Sequence, residues 1–288
     1  MGRFEGKVAL ITGASAGIGE ALAWRLAYEG ASVALLARRE DRLARLAREL
    51  SAQHDVEALA LGCDVTSDAE VAAAVGKAVE RLGRLDVVVA NAGFGVGGHA
   101  LQLTLDDYRR QMETNVFGVL RVVYATLPEL LARRGALAIV GSVNGHVALP
   151  GTAPYAMSKF AVRALAQTLR YDLAPRGVSV THISPGFIDT EIRRVDNQGR
   201  LHPGRADPVP AWLRMSAETA AAQIADAIHR RRAEKVLTRL GALAVWLEQN
   251  LPSLMAWAKR RMAGRTEWKS PEAVESPGEV EPTQGATS

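Results

Sequence analysis

With 288 residues, 48% of them hydrophobic, the chain is long enough to bury one large α/β core, and 35 basic against 31 acidic residues leave it mildly positive. A single cysteine, Cys63, excludes an intramolecular disulfide framework, and six histidines without an H-x-x-x-H or Cys/His pairing offer no visible ligand set, so no metal is expected. The N-terminus runs directly into an apolar stretch and a glycine turn, which predicts a cytoplasmic protein without a secretory signal. Gly6 stands where myristoylation requires Ser or Thr. Basic residues are spread over helix faces rather than gathered into a patch, so nucleic acid is not an expected partner and a phosphate-bearing cofactor is the simpler one.

Residues 7–12 form a short apolar run, followed by Thr12-Gly13-Ala14-Ser15-Ala16-Gly17-Ile18-Gly19 and then apolar residues at helical spacing to Tyr28. This is strand, glycine turn, helix: glycines let the backbone approach a pyrophosphate, and the first amides of the helix meet its charge. A second strand over 31–37 ends in Arg38-Arg39. An acid there would accept from a ribose 2′-hydroxyl, whereas a basic residue answers a 2′-phosphate, so the cofactor is expected to be NADP(H), with NAD as the alternative. The competing reading is that this arginine only starts the next helix.

Residues 41–53 are helical and 56–62 extended, closed by Cys63-Asp64-Val65. Asp64 is placed to hydrogen-bond an adenine or to cap a helix over 67–82. A fourth strand, 85–90, ends at Asn91-Ala92-Gly93, and a glycine-rich loop over 94–99 follows. Residues 105–133 read as one long helix containing Asn115, a polar residue disfavoured there unless it meets a need. The fifth strand, 136–141, delivers Ser142; a Gly/Pro-rich loop leads to a helix from Tyr155 to about Pro175; the sixth strand, 178–183, is closed by Ser184-Pro185-Gly186. Strand alternates with helix throughout, which predicts a Rossmann-type doubly wound parallel α/β sheet of about seven strands with helices on both faces. Every residue singled out falls at a strand's carboxyl end, where such sheets bind ligands.

Tyr155 and Lys159 share a helix face. A phenol, with an ordinary pKa of about 10, exchanges protons poorly near neutrality, and a neighbouring ammonium favours the phenolate. Ser142 is placed to hydrogen-bond the substrate oxygen.

The combination of Thr12-Gly13-x-x-x-Gly17-x-Gly19, Asp64, Asn91-Ala92-Gly93, Asn115, Ser142, Tyr155-x-x-x-Lys159 and Pro185-Gly186 resembles the short-chain dehydrogenase/reductase family, over about residues 4 to 240. The resemblance implies hydride transfer between nicotinamide C4 and a carbonyl or alcohol carbon. It makes Tyr155 the general acid or base, Ser142 the grip on the substrate oxygen, and Lys159 the ribose ligand that depresses the Tyr155 pKa. Asn115 would position a water on the proton path behind Lys159. The implied cofactor site comprises Thr12, Gly13, Ser15, Gly17, Ile18, Gly19, Asp64, Val65, Asn91, Ala92, Gly93, Tyr155, Lys159, Pro185, Gly186, Ile188 and Thr190. Arg38 would select the phosphate, with Arg39 stacking on adenine. Substrate would meet Ser142, Tyr155, Phe94, His146 and Phe187. Two departures stand out: Ala90 replaces a frequent Asn, and Ala16 replaces a residue often basic in NADP users.

The expected domain covers 1–240, with a polar, Arg- and Pro-rich substrate lid near 187–215, a helix opened by the cap Ser216, and a last strand over 235–238. An amphipathic helix pair over 241–265, broken at Pro252, either packs on the domain or a second subunit, or lies on a membrane surface through 240–262, which would favour a lipid-like substrate. It is too polar to span a bilayer. The Pro-, Glu- and Ser-rich tail, 266–288, is expected to be disordered. The reading is therefore an NADP(H)-dependent oxidoreductase acting on a small carbonyl or alcohol, with a homodimer or homotetramer expected. The alternative is a non-catalytic nucleotide sensor or scaffold on the same fold.

Overall fold

The computed structural model of the chain describes residues 2–263. Seven strands, β1 (Val8–Thr12), β2 (Ser32–Ala37), β3 (Ala58–Gly62), β4 (Val87–Ala90), β5 (Ala136–Val140), β6 (Ser179–Ser184) and β7 (Glu234–Val236), form one sheet in the order β3-β2-β1-β4-β5-β6-β7. All pairings are parallel. Because β1, β4 and β5 are buried on both faces, their sequences are continuously apolar up to Thr12 at the end of β1, instead of alternating.

Period-2 geometry sends neighbouring residues to opposite layers. Ala9, Ile11, Val33, Leu35 and Val89 pack with α1 (Gly17–Tyr28), α2 (Glu40–Gln53) and α7 (Ala217–His229). Leu10, Ala34, Leu36, Val88 and Ile139 pack with α3 (Asp68–Leu82), α5 (Gly118–Arg133) and α6 (Ala153–Leu173). The chain winds β1-β2-β3 to one side and then crosses back to β4, so the strand order reverses between β1 and β4. The crevice at such a reversal is where open α/β sheets take their ligands.

Two local expectations are corrected. Residues 105–133 are not one helix: α4 (Leu105–Met112), opened by a capping box between Thr104 and Asp107, passes through a π turn, Glu113–Phe117, into α5. The cap of α3 is Ser67, which accepts from the Glu70 amide, while Asp64 instead accepts from the Thr66 amide and hydroxyl, each at 2.9 Å. At the C-terminal end, α8 (Arg239–Asn250) and α9 (Pro252–Ala263) pack against each other, with Pro252 starting the second helix, where a missing amide hydrogen costs nothing. The predicted disordered tail lies outside the described residues.

Candidate active site

The glycine turn after β1 is built by close approach. A Cβ on Gly19 would lie 2.4 Å from the Gly13 carbonyl oxygen, and Gly13 itself has φ +67°, so neither position accepts a side chain. Thr12 is buried and clips the turn to β4: its hydroxyl accepts from the Asn91 and Ala92 amides at 3.0 Å each. Asn91 returns the clip by donating to the Thr12 carbonyl at 2.9 Å. Thr12 and Asn91 therefore hold the walls of the crevice together. Ala16 starts α1 without any side-chain acceptor, which leaves the first-turn amides of α1 for an incoming anion. Ile18 packs on the core below, Ile188 is buried, and the methyl-bearing side chain of Thr190 packs over Gly17. This crevice fits a dinucleotide phosphate.

At the carboxyl end of β5, Ser142 accepts from the Asn144 amide at 3.1 Å. Burial pushes the Tyr155 phenol above its usual range, while the Ser142 hydroxyl and the charge of Arg193 pull it back. Lys159 is 6% exposed; its Nζ donates to the Val140 carbonyl at 3.0 Å and lies 5.6 Å from the centre of the Tyr155 ring. Burial lowers Lys159 to about 8. The expected depression of Tyr155 is thus not reached by these residues alone, because desolvation acts on both partners.

Asn115 sits in the π turn. Its carbonyl oxygen accepts from the Phe94 amide at 3.2 Å, and its amide donates to the Phe94 carbonyl at 3.0 Å and to the Ser158 hydroxyl at 3.1 Å. The need this polar residue meets is to fasten the glycine loop after β4 to α6. Gln111, one turn earlier, ties the same loop to α4, donating to the Phe94 carbonyl at 2.9 Å and accepting from the Val96 amide. Of the other expected contacts, Asp64 and Val65 close β3, and Val65 packs against the position where Gly118 leaves no room for a Cβ. Gly93 packs against Asn115. The Pro185 carbonyl accepts from the Val143 amide at 2.9 Å, and Gly186 fits against the Thr238 hydroxyl, so Ser142 and the turn after β6 brace each other.

The two arginines after β2 differ. Arg38 is 68% exposed and stands 3.9 Å from the Asp64 carboxylate. Arg39 turns inward, donating from Nε to the Ser15 hydroxyl at 3.1 Å. His146, expected in the pocket wall, is buried with its Nε2 2.9 Å from the Ser184 hydroxyl and 3.1 Å from Glu234 Oε1. His182 Nδ1 lies 3.0 Å from the same carboxylate oxygen. The two imidazoles, through hydrogen bonds and charge, hold the Glu234 carboxyl well below the usual range. This trio has ligand-type atoms within 4.8 Å of one another, a grouping that positions 146, 182 and 234 do not reveal in sequence.

Segment 187–215 is fastened at both ends by a bridge between Ile188 and Met215 and internally by Asp207, which receives Arg193 Nε at 2.7 Å and Arg214 Nη1 at 3.3 Å. The Arg193 bonds hold Asp207 at about 2. Asn197 exchanges two hydrogen bonds with the Gly97 backbone, so the segment reaches the loop after β4. Asn197, Asp207 and Glu191, described below, left no sequence signal beyond polarity.

The profile of the short chain dehydrogenases matches residues 7–201. The chain belongs to that family. Among its relatives, the dehydrogenase/reductase SDR family protein 7-like of Anopheles gambiae is 34% identical over 266 residues, covering 90% of this chain and 83% of the relative. A short-chain dehydrogenase/reductase of Burkholderia phymatum in complex with NAD superposes with a TM-score of 0.78 at 28% identity, covering 88% and 96% of the two chains. An alcohol dehydrogenase of Thermococcus sibiricus complexed with 5-hydroxy-NADP gives 0.71 at 32%, covering 80% and 95%. This short-chain dehydrogenase is accordingly a nicotinamide-dependent oxidoreductase with the family's seven-stranded parallel sheet.

Proposed function

We propose that this short-chain dehydrogenase interconverts a carbonyl and an alcohol on an apolar substrate, with NADP(H) as its preferred cofactor. When bound, the nicotinamide supplies or removes a hydride at its C4. Ser142 hydrogen-bonds the substrate oxygen and Tyr155 gives it a proton in reduction or takes one in oxidation. Lys159 lies behind Tyr155 to hold the ribose and carry charge to the phenol, and Asn115 fixes Phe94 and α6 so that these groups keep their spacing. The observation that carries the reading is Lys159 Nζ 5.6 Å from the centre of the buried Tyr155 ring, with the Ser142 hydroxyl favouring the same phenolate. Tyr155→Phe tests it: turnover over a panel of carbonyl substrates falls by about 10³-fold, within the range for a general acid, while cofactor affinity stays at the wild-type value. A wild-type protein that binds NADPH yet never oxidises it on that panel would move the reading to a nucleotide sensor or scaffold.

Preference for NADP(H) is supported by Arg39 at Ser15, with Arg38 beside Asp64 as a second cation. An apolar substrate is supported by the half-buried Phe94 and by exposed Phe187 and Trp212 in segment 187–215, which we assign as the substrate lid. Exposed Phe117 at the end of the π turn, Tyr124 on α5, and Met157 and Phe160 on α6 support a homodimer or homotetramer through this face. The α8–α9 pair buries only Gly241 and Val245 and exposes Leu240, Leu243, Trp246, Leu254, Trp257 and Met262 next to Arg260 and Arg261. That combination supports contact with an anionic membrane surface. Flotation with anionic liposomes tests it, and equal soluble fractions for full-length protein and a variant truncated before Leu240 would count against it.

A further inference from the structure

We propose that Glu191 occupies the seat of the cofactor's 2′-phosphate when that phosphate is away, so that the lid and the phosphate compete for the same arginines. The inference rests on the NADP(H) reading of the crevice. Arg39 Nη1 donates to Glu191 Oε2 at 3.0 Å while its Nε donates to Ser15. Arg42, in the first turn of α2, donates from Nη1 to both Glu191 oxygens at 3.1 Å. These residues lie 152 and 149 positions from Glu191, so the contact belongs to the folded chain alone.

A carboxylate held by two guanidinium groups beside a loop hydroxyl has the chemistry of a phosphate monoester site: negative charge, fork-shaped donors and a neutral donor. Burial works to raise the Glu191 carboxyl, but the hydrogen bonds of Arg39 and Arg42 outweigh it and hold the group below its usual range. It is therefore the anion that competes. Two such anions do not share the seat, because a phosphate monoester carries about −1.5 to −2 charges at neutral pH and would face the carboxylate at close range. Glu20 faces the same place. Burial raises its carboxyl, Glu191 raises it further, and Arg45, Arg42 and Arg39 oppose that rise. Negative charge is already crowded there.

The covalent neighbour of Glu191 makes this a coupling device. Thr190 packs on Gly17 of the phosphate loop, and Glu191 opens the 3₁₀ turn Glu191–Arg194 that leads to Arg193 and its Asp207 clamp. A cofactor with a 2′-phosphate displaces Glu191 and loosens the entrance of the lid, whereas one with a free 2′-hydroxyl leaves the latch closed. Glu191 thereby determines specificity: it lowers affinity for NADPH and leaves affinity for NADH nearly untouched.

Direct titration of the full-length protein with NADPH and with NADH, followed by nicotinamide fluorescence, tests this on wild type, Glu191→Gln, Arg39→Met and the double variant. Glu191→Gln is expected to tighten NADPH by about threefold to fivefold, the scale of a half-exposed ion pair, with NADH unchanged. The gain should vanish in the Arg39→Met background. An unchanged or lowered NADPH-to-NADH affinity ratio in Glu191→Gln overturns the latch. The phosphate reading fails separately, and is recognised by Arg39→Met leaving that ratio at its wild-type value.

Discussion

The crevice between β1 and β4 and the segment 187–215 face each other, yet they are held by different forces. The glycine turn is fixed by close backbone approach and by the clip of buried Thr12 with half-buried Asn91. The segment opposite has few buried apolar anchors and is fastened by ion pairs around Asp207, by Asn197 on Gly97 and by Glu191 on Arg39 and Arg42. Packing of the first kind does not respond to salt or pH, and ion pairs of the second kind do. The groups assigned to proton transfer stand on packed elements, and the part assigned to cover the substrate is charge-fastened.

Substitutions on the two sides should expose this contrast. The largest effect is that of Tyr155→Phe on turnover, given above, and it should leave the melting temperature near wild type because the ring stays. Next, Gly19→Ala places a methyl against the Gly13 carbonyl in a region that cannot yield. It should destabilise the fold by about 3 kcal/mol or more, seen as a lowered denaturation midpoint together with lost cofactor binding.

Lys159→Met is expected to act in the opposite direction on stability. The buried amine titrates at about 8 when folded and at about 10.4 when unfolded, so below pH 8 the folded state carries the full penalty of a charge held out of water, a penalty relieved as pH rises from about 8 to 10. At neutral pH the variant should gain up to about 3 kcal/mol, less the loss of the Val140 bond, while turnover collapses. A wild-type stability that does not rise relative to the variant between about pH 8 and 10 would break the argument.

The smallest effect belongs to the charged side. Asp207→Asn should lower global stability by about 2 kcal/mol, the scale of that carboxyl's depressed pKa, and speed tryptic cleavage at Arg193, Arg194 or Arg205. Because Asp207 titrates near 2 when folded and near 3.9 when unfolded, its clamp is complete above about pH 4 and is lost as the solution is acidified toward 2. Glycine-turn contacts should persist through the same range if the contrast between the two regions holds.

Most of the sheet was legible because its signals are local. Doubly buried strands read as continuous apolar runs, Ser216 caps its helix where the spacing placed it, and Tyr155 with Lys159 needs only one helical turn to become neighbours. The π turn at Glu113–Phe117 was not legible, since a one-residue shift in helical register leaves composition unchanged and is decided by what Asn115 must reach. Nor was the division between Arg38 and Arg39 visible. Adjacent residues of one type differ only in direction, and direction was set by Ser15 and Glu191 coming from elsewhere.

By itself, then, the sequence determined the alternation of strands and helices, the glycine turn at the sheet's reversal point and the neighbours Tyr155 and Lys159, because each follows from periodicity or from a backbone conformation that favours glycine. Tertiary structure alone decided which arginine meets Ser15, that His146 joins His182 and Glu234, and that Glu191 bridges Arg39 and Arg42. Those arrangements depend on side chains up to 152 positions apart meeting in space, and their partners are chosen by desolvation and charge after the core has closed.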